Sequence, residues 1–343
     1  MDEWIVTASR AGRAEPAMAS LSAHITRFGL RTLVKRPLSN LELSLAEVHR
    51  TRQRIAAHYD ARPVPAGVAF EALELGGLHA ERCRPEGPAL PGRTVLYLHG
   101  GGFLVGSPRM YRKLTARLAR ATGSPVITPG YRLAPEHPWP AAPDDALRAY
   151  EALLAAGHAG HHIAVVGDSA GGNLVLVLLQ RIREAGLPMP ASAVCLSPWA
   201  DLTGTSPTLA THAARDPMLP GARLGEVARA YAPGMPLDHA HVSPVHADFS
   251  GFPPLLVHAG TEEVLLGDAE RVVTAARRAA VDAELRVWDG QPHVFHMHAG
   301  FVREGREAIE EVARFAVSHW LRAADQALDP RPLPATALRS ATG

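Results

Sequence analysis

Five residues, Gly167-Asp168-Ser169-Ala170-Gly171, constrain this chain more than any others. The four residues before them, Ile163-Ala164-Val165-Val166, are apolar and partly β-branched, the make-up of a buried strand. The run after them, Asn173-Leu174-Val175-Leu176-Val177-Leu178-Leu179, is long and apolar enough to open a buried helix. Strand, sharp turn and helix together present the Ser169 hydroxyl at the edge of a sheet, with small residues beside it so that the backbone turns tightly. A serine hydroxyl is a poor nucleophile until a base takes its proton, and the base needs an acid to orient it. With 30 glycines in 343 residues, a G-x-S-x-G also arises by chance. The strand and helix around this one set it apart.

A second glycine cluster, His99-Gly100-Gly101-Gly102-Phe103, follows another strand-like run, Thr94-Val95-Leu96-Tyr97-Leu98. Successive glycines let the backbone approach a substrate and turn N–H groups inward. The tetrahedral intermediate of acyl transfer carries an oxyanion that needs such donors, and losing one costs about 3 kcal/mol. The N–H groups of Gly101 and Gly102 are assigned to this hole, together with that of Ala170 directly after the nucleophile. A phosphate-binding loop would close on Gly-Lys-Ser/Thr, which is missing here.

The base is assigned to His293, in the loop Asp289-Gly290-Gln291-Pro292-His293 that follows a late strand-like run, Ala283 to Trp288. The chain has 18 histidines, and His296 and His298 lie close enough to compete. His293, His296 and His298 also read as a metal cluster, but no nearby helix offers Glu or Asp at ligand spacing, so no metal is expected. The acid belongs between nucleophile and base in chain order. Pro254 to Gly260 reads as a strand, and active groups collect beyond the carboxyl ends of strands. That selects Glu262, Glu263 or Asp268. Glu263 is preferred. Asp268 is the runner-up, because it begins a helix-like run where a carboxylate also serves as a cap.

Around these motifs the sequence alternates strand and helix from residue 94 onward, the mark of an α/β doubly wound sheet. Residues 69–85 read as a hairpin around Gly76-Gly77. Residues 1–60 read as an amphipathic helical segment, with Leu30, Leu33, Val34, Leu45, Val48 and Ile55 near helical spacing, which could cap the site, dock on it, or pack as an N-terminal helix pair. The catalytic domain is expected over 61–325. Within it, 200–250 is a Pro/His/Asp-rich, lid-like insertion with one short helix around Leu224 to Tyr231. The Pro/Ala/Ser-rich tail 326–343 is expected to be disordered. The formal net charge of +1 gives no electrostatic case for nucleic acid or an anionic membrane. Cys83 and Cys195 are too few for a disulfide framework or zinc site. No run of about 18 apolar residues suggests a membrane span, and Met1-Asp2-Glu3-Trp4 does not open a signal peptide, so a cytoplasmic protein is expected.

Taken with Tyr131-Arg132-Leu133-Ala134-Pro135-Glu136-His137-Pro138-Trp139-Pro140-Ala141-Ala142, Asp144-Asp145 and Ser197-Pro198-Trp199-Ala200-Asp201-Leu202-Thr203, these motifs make the chain resemble the hormone-sensitive-lipase-like (bacterial family IV) esterases of the α/β-hydrolase superfamily. The resemblance covers roughly residues 60–325, and the N-terminal segment is similar to that family's helical cap. It implies an α/β-hydrolase fold with a mostly parallel central sheet flanked by helices. The implied activity is a serine carboxylesterase on short-to-medium acyl esters, without a cofactor. Glu262-Glu263-Val264-Leu265-Leu266 resembles members described as monoterpene ε-lactone hydrolases, so a lactone is the alternative substrate for the same triad. Many relatives carry Asp-Pro-Leu where this chain has Glu263-Val264-Leu265, and the extra methylene changes the acid's reach. Within the stretch from Tyr131 to Asp145, Arg132, Glu136 and Asp144 are expected to brace the loops near the oxyanion glycines rather than touch substrate. The resemblance also makes a homodimer through the last strand and helix plausible. A non-catalytic small-molecule binder on this fold loses the histidine, which is present here.

Overall fold

The computed structural model describes residues 19–40, 42–87 and 90–328. A helical segment comes first: α1 (Leu21–Leu30), a π-helical turn (Arg31–Lys35), α2 (Arg36–Ser39) and α3 (Leu45–Asp60). The hairpin around Gly76-Gly77 follows as β1 (Val68–Leu75) and β2 (Leu78–Pro85). Then come β3 (Thr94–Leu98), α4 (Arg112–Thr122), β4 (Val126–Pro129), α5 (Ala141–Ala155), β5 (Ile163–Asp168), α6 (Ala170–Glu184) and β6 (Ser192–Leu196). After α7 (Thr208–Thr211) and α8 (Leu224–Tyr231), the alternation resumes with β7 (Leu255–Gly260), α9 (Leu266–Arg278), β8 (Ala283–Trp288) and α10 (Arg303–Leu328). The eight strands form one sheet in the order β1-β2-β4-β3-β5-β6-β7-β8. The pairs β1/β2 and β2/β4 are antiparallel and the other five are parallel.

Every residue of β3, β5, β6 and β7 is buried, as in a parallel sheet covered on both faces. Leu96, Val165 and Cys195 face a core shared with α5, α6 and α9. Their neighbours Tyr97, Val166 and Val194 face the opposite core, with Leu114 and Leu118 of α4 and Val312 and Trp320 of α10. Alternation along each strand therefore supplies two apolar faces. The parallel strands point their carboxyl ends at a common edge, and Ser169, Ser197, Glu263 and His293 all lie in the segments that leave it.

The N-terminal segment lies across that edge. Leu30, Val34, Leu38 and Ile55 line the cavity there. The regular spacing expected from the sequence fails at Leu33, which is 78% exposed, and at Leu45, which is 49% exposed. The π-helical turn at Arg31–Lys35 is the physical reason for Leu33: its wider turn shifts the phase, so Leu30 and Val34 share the inner face and Leu33 points out. Cations fasten this segment to backbone carbonyls of the body. Arg31 donates to Ala214 and Arg215, Lys35 to Ala213 and Asp216, and Arg52 to Leu104 and Ala134. At the other end, helix α10 continues to Leu328, past the boundary at 326 expected from composition. Residues 1–18 of the segment and 329–343 of the tail lie outside the described residues.

Gly171 shows why the turn after β5 needs its glycines. A Cβ there would overlap the carbonyl of Leu98 at the end of β3, and one at Gly167 would overlap the carbonyl of Gly171. Helix α6 thus starts directly against its neighbouring strand. Gly171→Ala is expected to destabilise the fold by about 1–3 kcal/mol through this overpacking. Urea unfolding at unchanged m-value would register it, accompanied by lost activity.

Candidate active site

Ser169 sits where β5 gives way to α6, with φ 53° and ψ −120°. A non-glycine residue at positive φ is strained, and such strain persists only where the surroundings enforce it. Here Ser169 N–H donates to Leu196 O at 2.9 Å, and Ser169 O accepts from the N–H groups of Asn173 and Trp199, both at 3.1 Å. The backbone is gripped on both sides, and the hydroxyl is turned to the sheet's edge. Ser169 Oγ lies 3.0 Å from His293 Nε2.

The opposite ring nitrogen, His293 Nδ1, is 2.8 Å from Glu263 Oε2. The other oxygen, Oε1, accepts from the Gly260 N–H at 2.5 Å and from the Ser197 hydroxyl at 2.9 Å. Ser197 Oγ in turn accepts from the N–H of Val294 at 3.1 Å. One hydroxyl therefore ties the carboxylate to the backbone just after the imidazole. Ser197 and Val294 are both left-handed non-glycine residues, with φ 50° and 48°. The sequence singled out the stretch from Ser197 to Thr203 but gave Ser197 no role, since nothing local signals a bridge to residues 66 and 97 positions away.

Burial disfavours a charged His293, but the hydrogen bond and charge of Glu263, helped by Asp216 and Asp168, outweigh it, so the pKa is raised. Asp168 is itself fully buried, which pushes it up to about 6 against hydrogen bonds from Tyr97, Gly100 N–H and Tyr111. It fixes the first glycine of the loop after β3. His99 stacks on Tyr131 with ring centroids 4.2 Å apart, and burial lowers its pKa to about 4, leaving a neutral ring that supports the loop. Among the described residues, the N–H groups of Gly101, Gly102 and Ala170 donate to no protein acceptor. Gly101, Gly102, Ser169 and His293 all line one cavity.

The remaining carboxylates are engaged elsewhere. Asp268 Oδ2 accepts from the N–H groups of Ala200 and Asp201, and burial pushes its pKa up to about 7. Glu262 lies 3.1 Å from Arg215 and 3.5 Å from Arg27, bridging the insertion and α1. His296 Nε2 faces His258 Nδ1 at 3.1 Å, away from Ser169. Of the residues expected to brace the loops, Glu136 pairs with Arg52, and Asp144 with Arg181. Arg132 pairs with the fully buried Asp145. Among the described residues no group of three or more His, Cys, Asp or Glu is placed to hold a metal ion.

The cavity measures about 410 Å³, and its walls are almost wholly apolar. Leu30, Val34, Leu38 and Ile55 come from the N-terminal segment, Met218, Leu219 and Val227 from the insertion, and Trp199 from the loop after β6. Sequence periodicity could not have found Met218 and Leu219, which lie in an irregular stretch.

A strained serine at a strand–helix turn, an imidazole between it and a carboxylate, and free N–H groups beside it define a hydrolase of the α/β class. Comparison with known proteins agrees. Residues 95–297 match the α/β hydrolase fold family, and the chain belongs to it. It is similar to an acetyl-hydrolase of Streptomyces hygroscopicus, 41% identical over 252 residues that make up 74% of this chain and 83% of the relative. An esterase of Acinetobacter venetianus is 31% identical, over 86% of this chain and 96% of its own. Among solved structures, an esterase of the bacterial hormone-sensitive lipase family superposes with a TM-score of 0.82 at 36% identity, covering 88% of this chain and 99% of the other.

The two acidic candidates can be separated directly. Glu263→Gln offers the wrong partner to Nδ1 and should lower kcat by up to about 10⁴-fold, the scale of losing a triad acid. Asp268→Asn should keep kcat within a few-fold and lower the melting temperature. Kinetics at matched circular dichroism would check both.

Proposed function

We propose that the chain is a serine carboxylic-ester hydrolase in which Ser169 is the nucleophile, His293 the general base and acid, and Glu263 the acid that orients it. The observation that carries this proposal is the unbroken hydrogen-bonded line from Ser169 Oγ through both nitrogens of His293 to Glu263. Ser169 Oγ attacks the acyl carbon as its proton passes to His293 Nε2. The oxyanion is received by the N–H groups of Gly101, Gly102 and Ala170. The alkoxide leaves with the proton from Nε2. Water then attacks the acyl-serine, gives a proton to Nε2, and the acid departs as Ser169 regains its hydrogen.

The cavity supports a substrate of short-to-medium acyl length. Its volume lies at the small end of the ~300–1,000 Å³ usual for ligand sites, and its aliphatic walls favour uncharged chains over charged ones. The segment Leu21–Asp60 and the insertion over 200–250 serve as cap and lid over the catalytic domain, consistent with their shared lining of this cavity. Val287 on β8 and Leu321 on α10 are large apolar side chains about half exposed, which supports a second copy packing along this edge. Among the described residues no helix is long and apolar enough to cross a membrane.

Ser169→Ala should remove turnover of p-nitrophenyl acetate by about 10⁶-fold while leaving the unfolding curve in place. A folded variant within tenfold of the parent would contradict the assignment. The pH profile supplies an independent check. His293 must be neutral to accept a proton, and its neighbours raise its pKa. Activity is therefore lost as pH falls, and the acid limb of kcat/KM should have its midpoint above the ordinary histidine value of about 6.5.

A further inference from the structure

We propose that Asp216 is a positioning residue, a strut that locks the Glu263 loop and the cavity wall together beneath the cap. The inference rests on the assignment of Ser169, His293 and Glu263 made above. Asp216 lies between α7 and α8 and is fully buried. Its Oδ1 accepts the backbone N–H groups of Met218 and Leu219, at 2.7 and 2.8 Å. Its Oδ2 accepts the N–H of Val264 at 2.9 Å. Val264 directly follows Glu263, while Met218 and Leu219 line the cavity. The main chain of the same residue is also held. Its N–H donates to His212 O at 2.8 Å, and its carbonyl accepts the Lys35 ammonium from the π-helical turn at 2.5 Å.

One side chain therefore joins three parts of the site: the wall a substrate would press on, the acid that orients the imidazole, and the cap. Only a carboxylate fits this post. Three backbone donors converge on two oxygens, and Asn would set an NH₂ group against at least one of them. Asp216 does not line the cavity, so it acts through Glu263 rather than on substrate. A wall displaced by a poorly fitting ester would pull on Val264 and so on the carboxylate beside His293. A shift of about 1 Å at such a remove can cost about 100-fold in rate.

Asp216 also sits among the charges that face His293. These are Glu263 after β7, Asp168 at the end of β5 and Asp216 itself; His296 in the turn after His293 is kept neutral by burial, and Lys35 of the cap lies beside Asp216. Its negative charge favours the imidazolium, so removing it makes the base available at lower pH.

The test compares the full-length parent with Asp216→Asn and Asp216→Glu, reading kcat and KM for p-nitrophenyl acetate across pH, with Ser169→Ala in the same series. Asp216→Asn is expected to lower kcat by about 10- to 100-fold and to move the acid limb of kcat/KM to lower pH. Asp216→Glu, which keeps the charge but misplaces it, should lower kcat with the limb unmoved. Parent-like kcat and limb in Asp216→Asn would overturn the proposal. So would a variant that only raises KM and lowers the melting temperature, since that marks a mere wall post. Should Asp216→Asn fail to fold, Asp216→Glu decides alone: reduced kcat supports the strut, and parent-like kcat overturns it. If Ser169→Ala stays active, the triad assignment fails. If it is inactive while both Asp216 variants behave as the parent, only the strut fails.

Discussion

The site depends on the backbone at Ser169. Its φ of 53° and ψ of −120° place a residue with a side chain where such residues rarely sit, at a cost of about 1–3 kcal/mol. That cost is met by packing: β3, β5 and β6 are buried on both faces, and the glycines on either side of Ser169 let α6 begin against the end of β3. The same conformation that lifts the hydroxyl off the sheet also makes Ala170 the first residue of a helix. Its N–H therefore has no partner in the preceding turn. Strain at one residue thus both presents a hydroxyl and leaves an N–H without a partner beside it, the two groups that the proposed mechanism uses as nucleophile and oxyanion donor. Phe103 in the glycine loop, Ser197 and Val294 share the left-handed conformation. These four lie on loops at the carboxyl edge; among the described residues the fifth non-glycine residue at positive φ, Ala280, lies apart, after α9.

Electrostatics follow from the same packing. Asp168, Asp216, Glu263 and His293 are all buried, and an isolated carboxylate so placed would take up a proton to escape the cost of its lost hydration. Each is retained because backbone N–H groups or hydroxyls converge on it: two tyrosines and Gly100 on Asp168, three N–H groups on Asp216, and Gly260 and Ser197 on Glu263. Glu263, by hydrogen bond and charge, with smaller help from Asp216 and Asp168, raises the proton affinity of the imidazole although burial works against it. The price is a scaffold that cannot relax, since each carboxylate also holds a loop in place.

What the sequence revealed was local. The strand–turn–helix around Ser169 and the strand before the three glycines are contiguous, and each element's type follows from a handful of adjacent residues. The short helix at Leu224–Tyr231 and the hairpin at Gly76-Gly77 were legible for the same reason. Choosing among Glu262, Glu263 and Asp268 was harder. All three follow β7 closely, and only the folded path turns Glu263 to His293, Asp268 to the backbone at Ala200 and Asp201, and Glu262 to Arg215 and Arg27. The roles of Ser197 and Asp216 were invisible, because their partners are distant backbone N–H groups that leave no trace in residue type. The outward turn of Leu33 was likewise hidden, since regular periodicity cannot announce a π-helical turn.

The central claim is that Ser169 carries the acyl group and that its hydroxyl is activated by the buried line to His293 and Glu263. Reaction of the folded protein with diethyl p-nitrophenyl phosphate tests it most directly. This reagent phosphorylates a serine so activated far faster than an ordinary hydroxyl, and peptide mass spectrometry locates the adduct. One diethylphosphoryl group on Ser169, formed in step with the loss of esterase activity, is the predicted result. Inactivation with Ser169 unmodified, or an adduct at another residue, would contradict the account.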